Sequence, residues 1–266
     1  MSSPPVAPER VYIHGESDAE AERLLEQAEI LSKWVLDDLE LSGKILEIGI
    51  GVGAETRLYR RRWPVQVVGV DYSRHQLERA RSVLGPEVPL LRASGARLPL
   101  ADGSFDVVLL IWVLEHVPDP QAVLREAARC LRPGGRIFAQ EVYNTSFYVE
   151  PLRPIIRRYF DALSELQRQG GGHPEIAARL PLLAERAGLR VDRFRWDGPH
   201  VDARDRDECV RLIRYFEGIC RSAEPQLRAA NAFSDFASVW AAFDEVVADP
   251  DALLSYTSGK LVASKV

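Results

Sequence analysis

The chain has 266 residues, 46% of them hydrophobic and 27% charged, with a formal net charge of −5 at neutral pH. That length supports a full core in one domain with a small cap, and the acidic balance argues against broad attraction to nucleic acid. No apolar stretch approaches the ~20 residues of a membrane span, the polar, Pro-rich residues 1–7 contain no signal-peptide hydrophobic region, and Cys130, Cys209 and Cys220 are far apart with no zinc spacing. These features predict a cytoplasmic protein with reduced, buried thiols and no membrane or nucleic-acid partner.

Residues 1–16 read as an extended arm that carries Tyr12 and His14. Ser17-Asp18-Ala19-Glu20 fits a capping box, and an amphipathic helix follows to about residue 40. Leu24, Leu25, Ala28, Leu31, Trp34, Val35 and Leu39 form its apolar face, with Gln27 beside it. Strands and helices then alternate: strand 44–50, helix 54–62, strand 65–71, helix 74–84, strand 88–92, strand 105–112, helix 120–131 and strand 135–142, with Ser73 and Asp119 as N-caps. Continuous apolar strands separated by helices imply a doubly wound, mostly parallel sheet covered on both faces, with ligands bound beyond the carboxyl ends of its strands. The second half departs from this rhythm. Residues 145–168 read as helical, Gly170-Gly171-Gly172 breaks them, 174–187 is a further helix, 190–196 a strand, 201–248 helical again and 253–264 a last strand.

The ligand signal begins at Ile45-Leu46-Glu47-Ile48-Gly49-Ile50-Gly51-Val52-Gly53, a buried strand breaking into a tight turn and a helix N-terminus. Glycines there let the backbone turn and a ligand lie against it, and the helix start offers unpaired N–H groups. A dinucleotide fingerprint would put a third glycine at Ala54 or Thr56; the spacing here is Gly-x-Gly-x-Gly instead. Asp71, about 20 residues past the turn at the tip of the second strand, suits both ribose hydroxyls.

Further blocks follow in order: Ser94 to Val108, then Leu114-Glu115-His116-Val117-Pro118-Asp119-Pro120, then Leu131-Arg132-Pro133-Gly134-Gly135. With these four blocks residues 40–145 resemble the class I S-adenosylmethionine (SAM)-dependent methyltransferases, closest to the small-molecule group typified by quinone-biosynthesis enzymes. The resemblance implies a seven-stranded Rossmann-like sheet whose last two strands pair as a hairpin at the edge. It divides the chain into an arm and helix (1–40), a SAM-binding core (41–145), a helical lid segment (146–170), a core helix and strand (171–200), a helical lid insertion (201–250) and a last core strand (251–266). Both helical segments emerge on the ligand side of the sheet.

The resemblance also implies site residues. Gly49, Gly51 and Gly53 lie under the methionyl and ribose parts of SAM, Glu47 orients the loop or the amino group, Asp71 takes the ribose and Tyr72 packs on the adenine. Ser94-Gly95 stands where the family usually has Asp-Ala; Ser94 accepts from the adenine amino group without charge, and Gly95 donates its N–H. Trp112 lies near the sulfonium, where its ring adds a cation–π contribution. Tyr12 folds over the cofactor and Gln27 reaches the methionyl end. Methyl transfer from a sulfonium is an in-line displacement governed by positioning, so the acceptor needs a base more than the donor needs activation. His116 and Glu141 are the candidate bases, one beyond each neighbouring strand. The aspartates of a metal-dependent edge are absent, so no metal is expected. Aromatic residues of the lid, among them Phe147, Tyr159, Phe160, Tyr215, Phe216, Phe236 and Trp240, suit a partly apolar small-molecule acceptor. The expectation is a SAM-dependent methyltransferase, O-methylation first with N- and C-methylation open, working as a monomer or homodimer. The alternatives are a SAM-binding protein without catalysis and a protein or RNA methyltransferase.

Overall fold

The computed structural model describes residues 14, 15, 17–37 and 39–266. Helix α1 spans Asp18–Leu36, with Ser17 accepting from the Glu20 N–H as the capping box requires. Then come β1 (Lys44–Ile48), α2 (Ala54–Arg62), β2 (Gln66–Asp71), α3 (Arg74–Leu84), β3 (Leu90–Arg92), β4 (Phe105–Ile111), α4 (Pro120–Cys130) and β5 (Leu131–Val142). Ser73 and Asp119 cap α3 and α4 with 3.2 and 2.9 Å bonds from Gln76 N and Ala122 N, and Pro120 sits in the first turn of α4, where its missing N–H is not needed.

The remaining elements are β6 (Tyr148–Glu150), α5 (Pro154–Gln169), α6 (Leu180–Arg186), β7 (Leu189–Asp197), β8 (His200–Asp202), α7 (Arg206–Ala229), α8 (Phe236–Ala248), β9 (Leu253–Ser255) and β10 (Ser258–Lys265). Seven strands form one sheet in the order β3-β2-β1-β4-β5-β10-β7. All its pairings are parallel except those of β10, which runs antiparallel to β5 and β7. The strand order reverses between β1 and β4, so the loops after these strands flank a crevice suited to a ligand. β1 and β4 are buried on both faces (Ile45, Leu46, Val108 and Leu109 are all fully enclosed), as expected of strands sandwiched between helices.

The second half differs from its sequence reading. Tyr148–Glu150, Val201 and Asp202, expected as helix, and His200, outside that expected helix, form strands; β6 and β8 pair antiparallel with β9 in a second, three-stranded sheet β6-β9-β8. The expected last strand is broken at Tyr256 and Thr257, so its first part serves this small sheet and its second the large one. Helices α5, α7 and α8 pack on one another, and α7 packs on β8 and β9 of the small sheet. Among the described residues no helix is long and apolar enough to cross a membrane.

Candidate active site

β1 ends in a loop whose three glycines all have positive φ: Gly49 at 76°, Gly51 at 52° and Gly53 at 76°. A Cβ on Gly49 would lie 2.4 Å from the Val113 side chain, and one on Gly53 2.7 Å from Leu84, so packing as well as conformation requires glycine there. Gly51 differs. Nothing lies within 4 Å of its Cβ position, so it borders open space on the crevice side. Asp71, at the tip of β2, braces the loop: its carboxylate accepts from Gly51 N (2.9 Å) and Ser73 N (2.8 Å). Tyr72 beside it is exposed, with the Arg92 guanidinium 5.9 Å from its ring centre. After β3, Ser94 folds into a local turn, its Oγ accepting from Ala96 N at 3.3 Å, while a Cβ on Gly95 would come 2.9 Å from Ile48. The structure thus brings Gly51, Asp71, Tyr72, Ser94 and Gly95 to the carboxyl ends of three adjacent strands.

Glu47 points beneath the loop. Its buried carboxyl accepts from Tyr59 OH at 2.7 Å and from Thr56 Oγ1, tying β1 to α2. Burial pushes it up to about 8, against the two hydroxyl donors, and so keeps it protonated at neutral pH. On the outer side α1 lies against the loop, with Ala21 and Ala28 packed on Val52 and Ala54. This brings Gln27 to the loop, hydrogen-bonded to Arg23 (2.8 Å), which also makes two bonds to the buried Glu20 at 2.7 and 2.6 Å. Glu20, read from the sequence only as part of the capping box, and Arg23 were not expected at the loop; the polar i, i+3, i+7 stripe of Glu20, Arg23 and Gln27 beside an apolar helix face was the available signal. Tyr12 lies outside the described residues. His14, two residues on, meets Ser222 of α7 at 2.8 Å. Because Ser222 gives its hydroxyl hydrogen to Ile219 O (2.9 Å), His14 must donate through Nδ1–H. Burial first, then the Arg23 and His116 charges, hold His14 well below the usual imidazole range, hence neutral.

The other wall follows β4. Trp112 has φ 57°, a left-handed conformation that costs a bulky residue roughly 1–2 kcal/mol. Its N–H donates to Gln140 O (2.9 Å), and its buried indole N–H has no partner among the described residues. A single 3-10 turn, Leu114–His116, follows. Glu141 grips that turn: its fully buried carboxyl accepts from Val113 N (3.1 Å), Leu114 N (2.9 Å) and Glu115 N (3.3 Å). Burial, then the Glu115 charge, push Glu141 up to about 8. Both its oxygens are committed to backbone, so its geometry is that of a clamp on the turn rather than of a base facing an acceptor. The turn presents His116, partly exposed, with Nε2 3.6 Å from Glu115 Oε1. Gln167 of α5 donates to the other oxygen of Glu115 at 2.8 Å, fixing the carboxylate behind the imidazole.

The open face at Gly51, the acid at the tip of β2, the strained Trp112 with its unpaired indole N–H and the polar stripe on α1 fit a ligand with a nucleoside and an amino-acid end. Residues 46–139 match the family described as a methyltransferase domain. The chain is 34% identical over 117 residues to a demethylmenaquinone methyltransferase of Tropheryma whipplei, covering 44% of this chain and 48% of that protein. It is 36% identical over 131 residues to the 27-O-demethylrifamycin SV methyltransferase of Amycolatopsis mediterranei, covering 47% and 48%. The chain thus spans about half the length of these curated relatives. In fold it is similar to the geranyl diphosphate C-methyltransferase of Streptomyces coelicolor, solved with Mg²⁺, geranyl-S-thiolodiphosphate and S-adenosyl-L-homocysteine (TM-score 0.53, 17% identity, 91% of this chain and 76% of that one). Through its glycine-loop core, residues 46–139, the chain is similar to methyltransferases.

Proposed function

We propose that the chain transfers a methyl group from SAM to the hydroxyl of a small, partly apolar or aromatic acceptor. When bound, SAM supplies an activated sulfonium methyl for in-line displacement. Gly49, Gly51 and Gly53 shape the floor on which it lies, Asp71 meets its ribose, Tyr72 and Ser94-Gly95 flank its adenine, and Trp112 stands at the strand tip nearest the transferred methyl. The observation that carries the acceptor half is the His116–Glu115–Gln167 arrangement on a turn clamped by Glu141. In this reading His116 removes the acceptor hydroxyl proton, and the Glu115 carboxylate behind Nε2 balances the imidazolium that forms. Glu141 holds the turn in place and takes no proton. The relative that acts on 27-O-demethylrifamycin SV supports an oxygen acceptor. Helices α5, α7 and α8, with packed aromatics such as Tyr159 against Trp240, serve as the water-excluding cover. The buried thiols suit a reducing cytoplasm.

The test is calorimetric titration with SAM and, separately, NADH, on the native chain, Asp71→Ala and Gly51→Val, followed by turnover on phenolic and alcoholic acceptors. Micromolar SAM binding lost in both variants, with no NADH binding, is expected. His116→Ala should keep that affinity and lose about 10²- to 10⁴-fold in rate. No SAM binding by the native chain would overturn the proposal.

A further inference from the structure

The run Gly170-Gly171-Gly172 ends α5 in a Schellman cap. Gly171 takes the left-handed turn (φ 79°), its N–H donates to Arg168 O at 2.9 Å, and the Gly172 N–H reaches back to Gln167 O at 2.8 Å. Gly172 has no positive φ, yet a Cβ there would lie 2.7 Å from Glu115 O and 2.8 Å from Gln167 Cγ. What excludes a side chain is contact with the turn that carries His116. The cap delivers two donors to that turn: the His173 N–H donates to Glu115 O at 2.7 Å, and the Gln167 amide donates to Glu115 Oε2 at 2.8 Å. Glu141 accepts from the Glu115 N–H at 3.3 Å. Glu115 Oε1 is left over, and it is the atom 3.6 Å from His116 Nε2. Glu115 and Gln167 are both buried, so water does not make good the loss of such a bond. The cap is itself held from outside, Arg168 bonding Glu175 at 2.8 and 2.9 Å and the Asn144 N–H donating to Pro174 O at 3.0 Å. Further back along α5, Tyr159 OH donates to Cys220 O of α7 at 2.5 Å, and Arg153 ahead of the helix bonds Glu245 of α8 at 2.8 Å. One helix therefore joins the α7–α8 packing to the His116 turn, with Tyr159 and Gln167 about 12 Å apart along its axis.

We propose that Gln167 and Gly172 are positioning residues for the methyl transfer: the C-cap of α5 fixes the backbone and the carboxylate of Glu115, and Glu115 in turn sets which ring nitrogen of His116 carries the hydrogen. The proposal rests on the reading of His116 as base and goes beyond it in assigning its geometry to the glycine run and to the seating of α5. A carboxylate oxygen beside Nε2 favours the tautomer with the hydrogen on that atom. The lone pair is then on Nδ1, which is the nitrogen that takes the acceptor's hydroxyl proton. Gly172 leaves room for the Glu115 carbonyl, and Gln167 keeps the carboxylate from turning away.

The experiment is ¹⁵N NMR of the histidine side chains of the full chain without ligand, the His116 signals being those lost in His116→Ala. It is run on the native chain, Gln167→Leu and Gly172→Ala, with thermal midpoints recorded to confirm folding. The native chain should show His116 with its hydrogen on Nε2, and both variants the mixed tautomers of a solvated imidazole. Turnover is then measured for Gln167→Leu in the native and His116→Ala backgrounds, on the phenolic acceptor that the native chain methylates fastest. In the native background Gln167→Leu should lower kcat about 10- to 100-fold, as misplacement of a reacting group does, with SAM affinity within about two-fold of native. In the His116→Ala background it should change kcat by no more than about two-fold, because it acts through His116. A native His116 without the Nε2 hydrogen, an unchanged tautomer in Gln167→Leu, or losses that multiply in the double variant would overturn the positioning role and leave His116 as base. A His116→Ala chain as fast as the native one would remove the base reading and the positioning role together.

Discussion

Glu47, Glu55 and Glu141 are three carboxyls of one site, and each is held above the ordinary carboxylate range by burial. They differ in what they touch: hydroxyls for Glu47, the backbone N–H groups of the 113–115 turn for Glu141 and its own backbone for Glu55. For Glu47 the ordinary value of 4.5 becomes about 8 in the fold, so the folded chain holds this proton more tightly than the unfolded chain does. Its contribution to stability is therefore complete below about pH 4.5 and is lost as pH rises through about 8. Glu47→Gln keeps an oxygen to accept from Thr56 and Tyr59 and cannot ionise. Its melting temperature should decline less between pH 5 and pH 9 than that of the native chain. Glu141, shifted in the same direction, leaves a residual slope. Curves that run parallel from pH 5 to pH 9 would show that Glu47 ionises as freely in the folded as in the unfolded chain. Replacing Glu141 by Ala tests another property of the same chemistry. It strands three backbone donors, which costs about 1–3 kcal/mol for each that stays dry, and it frees the turn that carries His116. Methyl transfer should fall much further than SAM affinity; equal losses in rate and affinity would place Glu141 in donor binding instead.

α1 is the element that turns a bare sheet tip into a pocket wall, because Ala21 and Ala28 let it lie directly on Val52 and Ala54. Ala28 is 2% exposed. Ala28→Leu would push the helix off the loop, with an overpacking cost of about 1–3 kcal/mol, and should weaken SAM binding in calorimetry along with stability. Unchanged affinity would mean that α1 plays no part in shaping the loop. This wall was only half legible in the sequence. The capping box at Ser17 and the apolar face announced the helix, but which polar stripe flanked the loop depended on how α1 crosses α2, and no local pattern encodes that. The same divide runs through the chain. Helices 54–62 and 74–84 and the strands β1, β2, β4 and β7 lie within a residue or two of where periodicity and caps put them, since each is long enough to show its period. β6, β8 and β9 have three residues each, too few for a period, and exist by pairing between segments far apart in the chain: Tyr148 opposite Ser255, His200 opposite Ser255. In the site, the glycine loop and Asp71 were readable because backbone geometry dictates their residue types. The inward turn of Glu47 onto Thr56 and Tyr59 is a decision of packing that no local pattern encodes.

At the scale of the whole molecule, the helical cover is not a separate body hinged to the sheet. One continuous hydrophobic cluster runs from Val107, Leu109 and Phe138 of the large sheet through Phe147 and Tyr159 to Phe236 and Val239 of the cover. Phe236 is 1% exposed, meets Tyr159 and Phe233 edge to face at 6.0 and 5.5 Å, and lies under the Arg228 guanidinium at 4.1 Å. Phe236→Ala removes a buried ring worth about 3–5 kcal/mol. In a chain of this size each kcal/mol moves the melting temperature by about 2–4 °C. If cover and core share one cluster, calorimetry should show a single transition shifted down by about 6–20 °C, with calorimetric and van't Hoff enthalpies still equal. A cover that folded by itself would instead give a second, lower transition, with the SAM-stabilised core melting at its native temperature. The distinction decides how an acceptor enters. If α5, α7 and α8 act as the proposed cover, one that cannot melt alone admits its ligand by small shifts at its links to the sheet, the ends of α7 and the β9–β10 junction, and those links are where exchange of backbone amides should be fastest.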